Sequence, residues 1–316
     1  MKNIVFRAFA AVMILMGLLI PKQAFMQEKL QGKITISGAF ALYPMMVRWA
    51  DEFRKLHPGL RIDVSAGGAG KGMTDALGGM VDIGMVSREV YPAETKKGAF
   101  AVAVARDAVV PVINAKNPAL KDILARGITA SVARKIWITE EYKTWNEAFR
   151  IKQKIPLHVY TRSDACGAAE IWGKYQGGKQ EDLNGSGVFG DPGLALAVKR
   201  DPAGIGFNNI GYAYDQTTHR QVEGIRVLPI DLNGNGKIDP NEVFYETMSQ
   251  ITDAIAAGKY PSPPARDLYL VTKGKPAAPA VKAFIKWILT SGQQFVREAG
   301  YIRLPDSQLQ DQLKNL

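Results

Sequence analysis

The stretch ITISGAFALYPMMVRWADEFRKLHPG, residues 34–59, carries a strand, a glycine turn and a helix in succession. Ile34 and Ile36 alternate with polar residues as on a half-buried strand, and Gly38 follows where the chain must turn. Beyond it, Leu42, Met46, Trp49, Phe53 and Leu56 recur at spacings of four, three, four and three, which places all five on one helix face. Pro44 falls in the first turn, where a missing N–H costs nothing, and His57, Pro58 and Gly59 end the helix. Next come the strand LRIDV (60–64), the loop SAGGAGKGM (65–73), a short helix and the strand VDIGMVS (81–87). This β-α-β-α-β order predicts a mostly parallel sheet covered by helices.

The middle of the chain repeats the pattern with AVAVARDAVVPVIN (101–114), helical segments to about residue 150, and the strand PLHVYTR (156–162). After AGIGFNN (203–209) the order becomes richer in strands, through GIRVLPI (224–230) and VFYETM (243–248). The end returns to RDLYLVTKG (266–274) and one amphipathic helix over 280–299, with Pro279 at its start.

Lys2 and Arg7 precede an uncharged apolar run at 8–20, the pattern of a secretory signal peptide. The run is shorter than the roughly 20 residues a membrane span needs. A leader over 1–26 predicts an exported, periplasmic or secreted protein of about 290 residues, enough for two domains. No cysteine follows the apolar run, so no lipid anchor is expected there. The formal charge of +10 includes Lys2, Arg7 and Lys22, which leaves about +7 on the mature chain. It is scattered in pairs such as Lys96 and Lys97, which argues against nucleic-acid binding or a polybasic membrane patch and suits an anionic ligand. The lone Cys166 cannot form an internal disulfide, so the fold must rest on its core.

Three times small residues stand between a strand and a helix: SGAFALYP, AGGAGKGM and RSDACGAAE. Each helix start offers unpaired N–H groups at a positive dipole end, suited to an anion. A micromolar ligand needs about −8 kcal/mol net, and a charged hydrogen bond gives roughly 1.5–3 kcal/mol, so one loop is not enough. Arg162, at its strand's end, could add a bidentate fork or could serve a solvated ion pair.

In the same order, these segments resemble the phosphate-binding protein of the high-affinity phosphate ABC transporter. The residues that carry the likeness are ISGAFALYPMMVRWADEF, GGAGKGMTDALGGMVDIGMVSRE, TRSDACGAAE, AGIGFNN, YPSPPARDLYLVTKG and FIKWILTSGQQFVREAGY, which span nearly all of the mature chain. The resemblance implies an α/β, two-lobed type II periplasmic binding protein, with two mixed sheets covered by helices and a two-stranded hinge. Lobe one would comprise 27–111 and 266–316, and lobe two 112–265. The protein would close on inorganic phosphate and deliver it to a membrane ABC permease, as a monomer and without catalysis or a cofactor. Carried over by motif, the contacts are Leu42 and Tyr43 through backbone N–H, Ala69, Gly70 and Lys71, Ser87 beside Arg88, and Arg162, Cys166, Gly167 and Ala168. Leu42, Cys166 and Ala168 stand where the family often has hydroxyl residues, and Ser87 where some members have Asp, which weakens the case for phosphate over another oxyanion such as sulfate.

Cys166 also admits a thiol-dependent hydrolase or phosphatase, since a helix N-terminus favours thiolate; His158 would then be the nearest base in sequence. A scavenging or adhesive surface protein with no permease partner is a weaker reading. Finally, DLNGNGKIDPNE (231–242) matches the EF-hand loop: Asp231, Asn233 and Asn235, the carbonyl of Lys237, Asp239 and Glu242 predict a structural calcium site. A strand-like segment precedes it where an EF-hand has a helix.

Overall fold

The computed structural model describes residues 30–316, so the expected leader lies outside the described residues. The strands are β1 (Gly32–Gly38), β2 (Leu60–Ala66), β3 (Ile83–Val86), β4 (Ala99–Asn114), β5 (His158–Arg162), β6 (Ser186–Val188), β7 (Gly204–Asn209), β8 (Ile225–Val227) and β9 (Ala265–Lys273). The helices are α1 (Tyr43–Leu56), α2 (Ala69–Leu77), α3 (Pro92–Lys96), α4 (Leu120–Arg126), α5 (Ala130–Trp137), α6 (Trp145–Phe149), α7 (Gly167–Tyr175), α8 (Gly190–Arg200), α9 (Ile210–Ala213), α10 (Met248–Ala256), α11 (Pro279–Leu289) and α12 (Asp306–Asn315).

The nine strands lie in one continuous path, β2-β1-β3-β9-β4-β7-β5-β6, with β8 beside β4. Parallel pairing holds for β1 with β2 and β3, in the registers Ile34 to Ile62 and Ile36 to Ile83. It holds again for β5 with β6 and β7. The connecting strands run antiparallel: β9 against β3 and β4, and β4 against β7 and β8. The sheet is therefore mixed, and the two expected sheets are joined through the 16-residue β4. Pairing of β4 passes from β9, last at Ala108, to β7, first at Val109.

Each half has its own aromatic core. Trp49 and Phe53 of α1 are buried, and Phe53 packs 5.0 Å from Phe284 of α11. In the other half Trp172 lies edge-on to Trp137 at 5.3 Å and stacks on Phe207 at 5.8 Å. Burying each such ring is worth roughly 2–3 kcal/mol.

Four local readings are corrected. Leu56 is 54% exposed, because the last residue of α1 has run past the core. The helix expected over 280–299 stops at Leu289; Thr290 leaves helical geometry (ψ −100°) and a 3-10 turn, Ser291–Phe295, follows. Only Ile225–Val227 of GIRVLPI forms a strand. VFYETM is a connection without a strand, held by Tyr245, whose hydroxyl accepts the Ile230 N–H at 3.1 Å.

Candidate functional site

The three glycine loops follow β1, β2 and β5, and backbone hydrogen bonds bring them together. Gly38 has φ +134°, and a Cβ there would sit 2.3 Å from the Met85 carbonyl oxygen, so the first turn demands glycine. Its own carbonyl accepts the N–H groups of Gly67 and Gly68 at 2.9 and 3.0 Å, which ties the first loop to the second. The Leu42 N–H donates to Ala39 O at 3.1 Å and the Tyr43 N–H to Phe40 O, so both expected donors are engaged in the short turn Phe40–Leu42. At the second loop, Ala69 is buried and the Gly70 N–H donates to the Ala165 carbonyl of the third loop at 3.1 Å. Lys71 pairs with Asp75 along α2, and Asp75 also accepts the Ser37 hydroxyl at 2.7 Å.

Ser87 is buried against the start of α7: a Cβ on Gly167 would meet the Ser87 carbonyl oxygen at 2.2 Å and its Oγ at 2.3 Å. Arg88 is not part of this meeting point. It forks onto Glu94, with Nη1 to Oε2 at 2.9 Å and Nη2 to Oε1 at 2.7 Å, and lies 4.4 Å over the Tyr91 ring. The Tyr91 hydroxyl in turn donates to Glu170 of α7 at 2.6 Å.

Arg162 is the most constrained cation. Its side chain is fully buried; Nε and Nη2 donate to Asp164 at 2.8 and 2.6 Å, and Nη1 donates to Asp191 at 2.6 Å. Asp191 sits at the head of α8 and accepts the Asn209 backbone N–H and Nδ2 at 3.0 and 2.8 Å. Burial opposes the guanidinium charge, but Asp191 and Asp164 more than offset it and raise its pKa. From the other half of the sheet, Phe40 covers the guanidinium, ring centroid at 5.5 Å, and meets Phe189 edge-on at 5.8 Å.

Cys166 caps α7: its Sγ accepts the Ala169 N–H at 3.4 Å, and its backbone N–H donates to Gln180 Oε1 at 3.1 Å. Burial pushes the thiol up to about 12, with Arg162 opposing and Asp164 and Asp191 assisting. A neutral thiol acting as a cap is thus what the helix start selects. Ala168 is buried beside it and brings no side-chain donor. His158 is engaged elsewhere, its Nδ1 2.7 Å from Asp201 Oδ2 at the opposite end of β5, roughly 13 Å along the strand from Arg162.

Beneath these loops lies a pair that the sequence reading passed over. The tripeptide Ala-Arg-Asp occurs at 105–107 in β4 and again at 265–267 in β9, and the strands align them antiparallel. Arg106 thereby faces Asp267, with Nε 2.9 Å from Oδ1 at a partly exposed site, while Asp107 faces Arg266 in the interior. Arg266 Nη1 donates to the Gly167 carbonyl at 3.4 Å, Nη2 donates to Asn209 Oδ1, and Nη2 lies 3.6 Å from Asp107 Oδ2. The available signal was an ionisable pair set in two otherwise apolar strands. For Asp164 and Asp191 the signal was weaker: an Asp two residues after an Arg, and an Asp beside the glycine that opens α8.

The 231–242 loop holds itself. Asp231 accepts the Gly234 and Gly236 N–H groups, each at 2.8 Å, and Glu242 accepts those of Leu232 and Asp239 at 2.8 and 2.9 Å. Asn233 and Asn235 both donate side-chain N–H groups to Asp239, and Lys237 lies 3.1 Å from it. Among the described residues no group of three or more His, Cys, Asp or Glu is arranged to hold a metal ion, so the structure does not support the calcium expected there.

In this two-halved mixed α/β sheet, buried charged side chains gather where strand ends and helix starts converge, the place at which α/β sheets bind ligands. A family model described as a PBP superfamily domain matches residues 26–291, and the chain belongs to that superfamily. It is 27% identical over 285 residues to "Protein SphX" of Synechococcus elongatus, covering 86% of this chain and 77% of that protein. It is 26% identical over 324 residues to the phosphate-binding protein PstS of Methanocaldococcus jannaschii, covering 86% and 82%. Among solved structures, an ABC-type phosphate transport receptor from Vibrio cholerae aligns with a TM-score of 0.63 at 21% identity, over 86% of this chain and all of that one. A Clostridium perfringens substrate-binding protein solved with bound phosphate aligns at 0.71 and 22%, over 87% of this chain and 100% of that one. At these identities the two structures speak for the fold alone.

Proposed function

We propose that this protein is an exported receptor that captures inorganic phosphate between the two halves of its sheet and delivers it to a membrane ABC permease. The observation that carries the reading is Arg162, fully buried where three glycine-bearing loops converge. A guanidinium has five N–H donors, and three are engaged by Asp164 and Asp191, which leaves two for an anion at the start of α7. Relatives named for phosphate binding support the choice of ligand. The handover of β4 from β9 to β7 at Ala108 and Val109 supports a division into 27–111 with 266–316 and 112–265, with β4 and β9 as the hinge.

We place the ligand against Arg162, Ser87 and the backbone of Gly167 and Ala168, with the Ala69–Lys71 segment and the Leu42–Tyr43 turn closing over it from the other half. No helix among the described residues is long and apolar enough to cross a membrane; release after leader removal and work as a monomer belong to the same proposal. Chemistry at Cys166 is disfavoured by a thiol held neutral and by a His158 committed to Asp201. For the 231–242 loop we propose the self-capped state; a rise in melting temperature with micromolar calcium would overturn that.

Calorimetric titration with phosphate and then sulfate, after stripping bound anion, tests the main reading. Tight phosphate binding that vanishes in Arg162→Ala supports it. Heat from sulfate alone changes the ligand, and silence from both overturns the receptor.

A further inference from the structure

We infer that Asp107 and Arg266 form the floor of the anion cradle, and that Asp107 takes up a proton whenever a doubly charged oxyanion binds above it. This rests on the reading of the protein as an oxyanion receptor. The two residues belong to the crossing strands β4 and β9, and both are buried. Arg266 reaches Gly167 at the start of α7 and Asn209, Asn209 reaches Asp191, and Asp191 reaches Arg162, so the floor and the cradle are one network.

Two arginines, 162 and 266, stand in that network against three acids, 107, 164 and 191. With all five ionised the cluster carries an excess negative charge in a low-dielectric interior, where an incoming anion is repelled. One acid must give way. Both oxygens of Asp164 and of Asp191 already accept from Arg162, a backbone N–H or an asparagine. Asp107 Oδ2 and Arg266 Nε, by contrast, are buried without a hydrogen-bond partner. An anion oxygen with a shared proton completes the first, and the same anion draws on the second cation.

Burial already pushes the Asp107 carboxyl up to about 7 against the pull of Arg266, with Asp191 assisting. The other groups facing it are the hydroxyls of Tyr212, Tyr260 and Tyr301, all raised by burial and therefore neutral across the working range. The balance is simple: hydrogen phosphate enters as a dianion, one proton from solvent goes onto the Asp107 carboxylate, and that proton is shared with the nearest phosphate oxygen. No covalent bond changes.

Titration of the mature protein with inorganic phosphate at about pH 8.5, in two buffers of different ionisation heat, counts the protons taken up. Close to one is expected for wild type and close to none for Asp107→Asn. Between about pH 7.5 and 9 the wild-type affinity should fall toward tenfold per pH unit, while that of the variant stays flat. Zero uptake by wild type overturns the inference even if the variant does not fold, and equal uptake by a folded variant overturns it too. Absence of phosphate binding by wild type at every pH from about 6 upward removes the receptor reading instead.

Discussion

Gly167 has no room for a side chain: a Cβ would overlap Ser87 Oγ and its carbonyl oxygen at 2.3 and 2.2 Å. Gly167→Ala should therefore hold the two halves apart at the cradle, destabilise the fold by roughly 1–3 kcal/mol, and raise the phosphate Kd at least tenfold; calorimetry and urea melts check both. Removal of Arg162 acts differently, because it strands Asp164 and Asp191 as buried charges without a counter-ion. Arg162→Ala should cost about 3–5 kcal/mol of stability besides abolishing binding, and Arg162→Lys should recover stability better than affinity, since a lysine cannot fork. At this scale the sequence shows Arg162 and Gly167, because a glycine and an arginine flanking a strand-to-helix turn have a local meaning. It does not show that Asp191, 29 residues on, closes the arginine's third bond, nor that Asp107 and Arg266 meet, because only strand pairing brings them together.

Residues 88–94 and α7 form a clasp across the two halves. Tyr91 reaches Glu170 at 2.6 Å, Lys174 reaches Glu89 at 3.2 Å, and Arg88 is held by Glu94 as the base on which Tyr91 rests. Lys174 and Glu89 are solvated enough that their pair contributes little, whereas the Tyr91 bond is a charge-assisted one at a partly buried site. Tyr91→Phe should raise the phosphate Kd by roughly 5-fold, through faster dissociation with the association rate unchanged, as stopped-flow measurement would show. Arg88 next to Ser87 reads in the sequence as a ligand contact; in the structure its guanidinium pairs with Glu94, six residues further along the chain. Helix α1 was legible from its period almost to the residue, because one amphipathic face and a proline at its start all agree. The helix expected over 280–299 was not, since the break at Thr290 lets Gln293 bond the Val104 carbonyl at 2.9 Å, a tertiary preference with no periodic signature.

The molecule as a whole hangs on β4 and β9, which cross from one half to the other with a buried ion pair at the crossing. Its class was legible because the order of strands and helices is a property of the entire chain; the single continuous sheet was not, because pairing of β4 on both halves is a matter of register. Native Asp107 keeps its proton to about pH 7, whereas the unfolded chain loses it near the ordinary carboxylate value of 3.8. The folded state therefore binds the extra proton in that window, and this residue withdraws stability as pH rises through it. Asp107→Asn should gain on wild type by roughly 1–4 kcal/mol between about pH 4 and 7 and by nothing further above, read from paired urea midpoints. The lone thiol, finally, sits against the seam where Gly167 meets Ser87. Parting of that seam should bring the thiol within reach of a reagent, which makes Cys166 a built-in clock. Its alkylation rate should report the fraction of time spent open and should slow by a factor of 1 + [phosphate]/Kd as ligand is added.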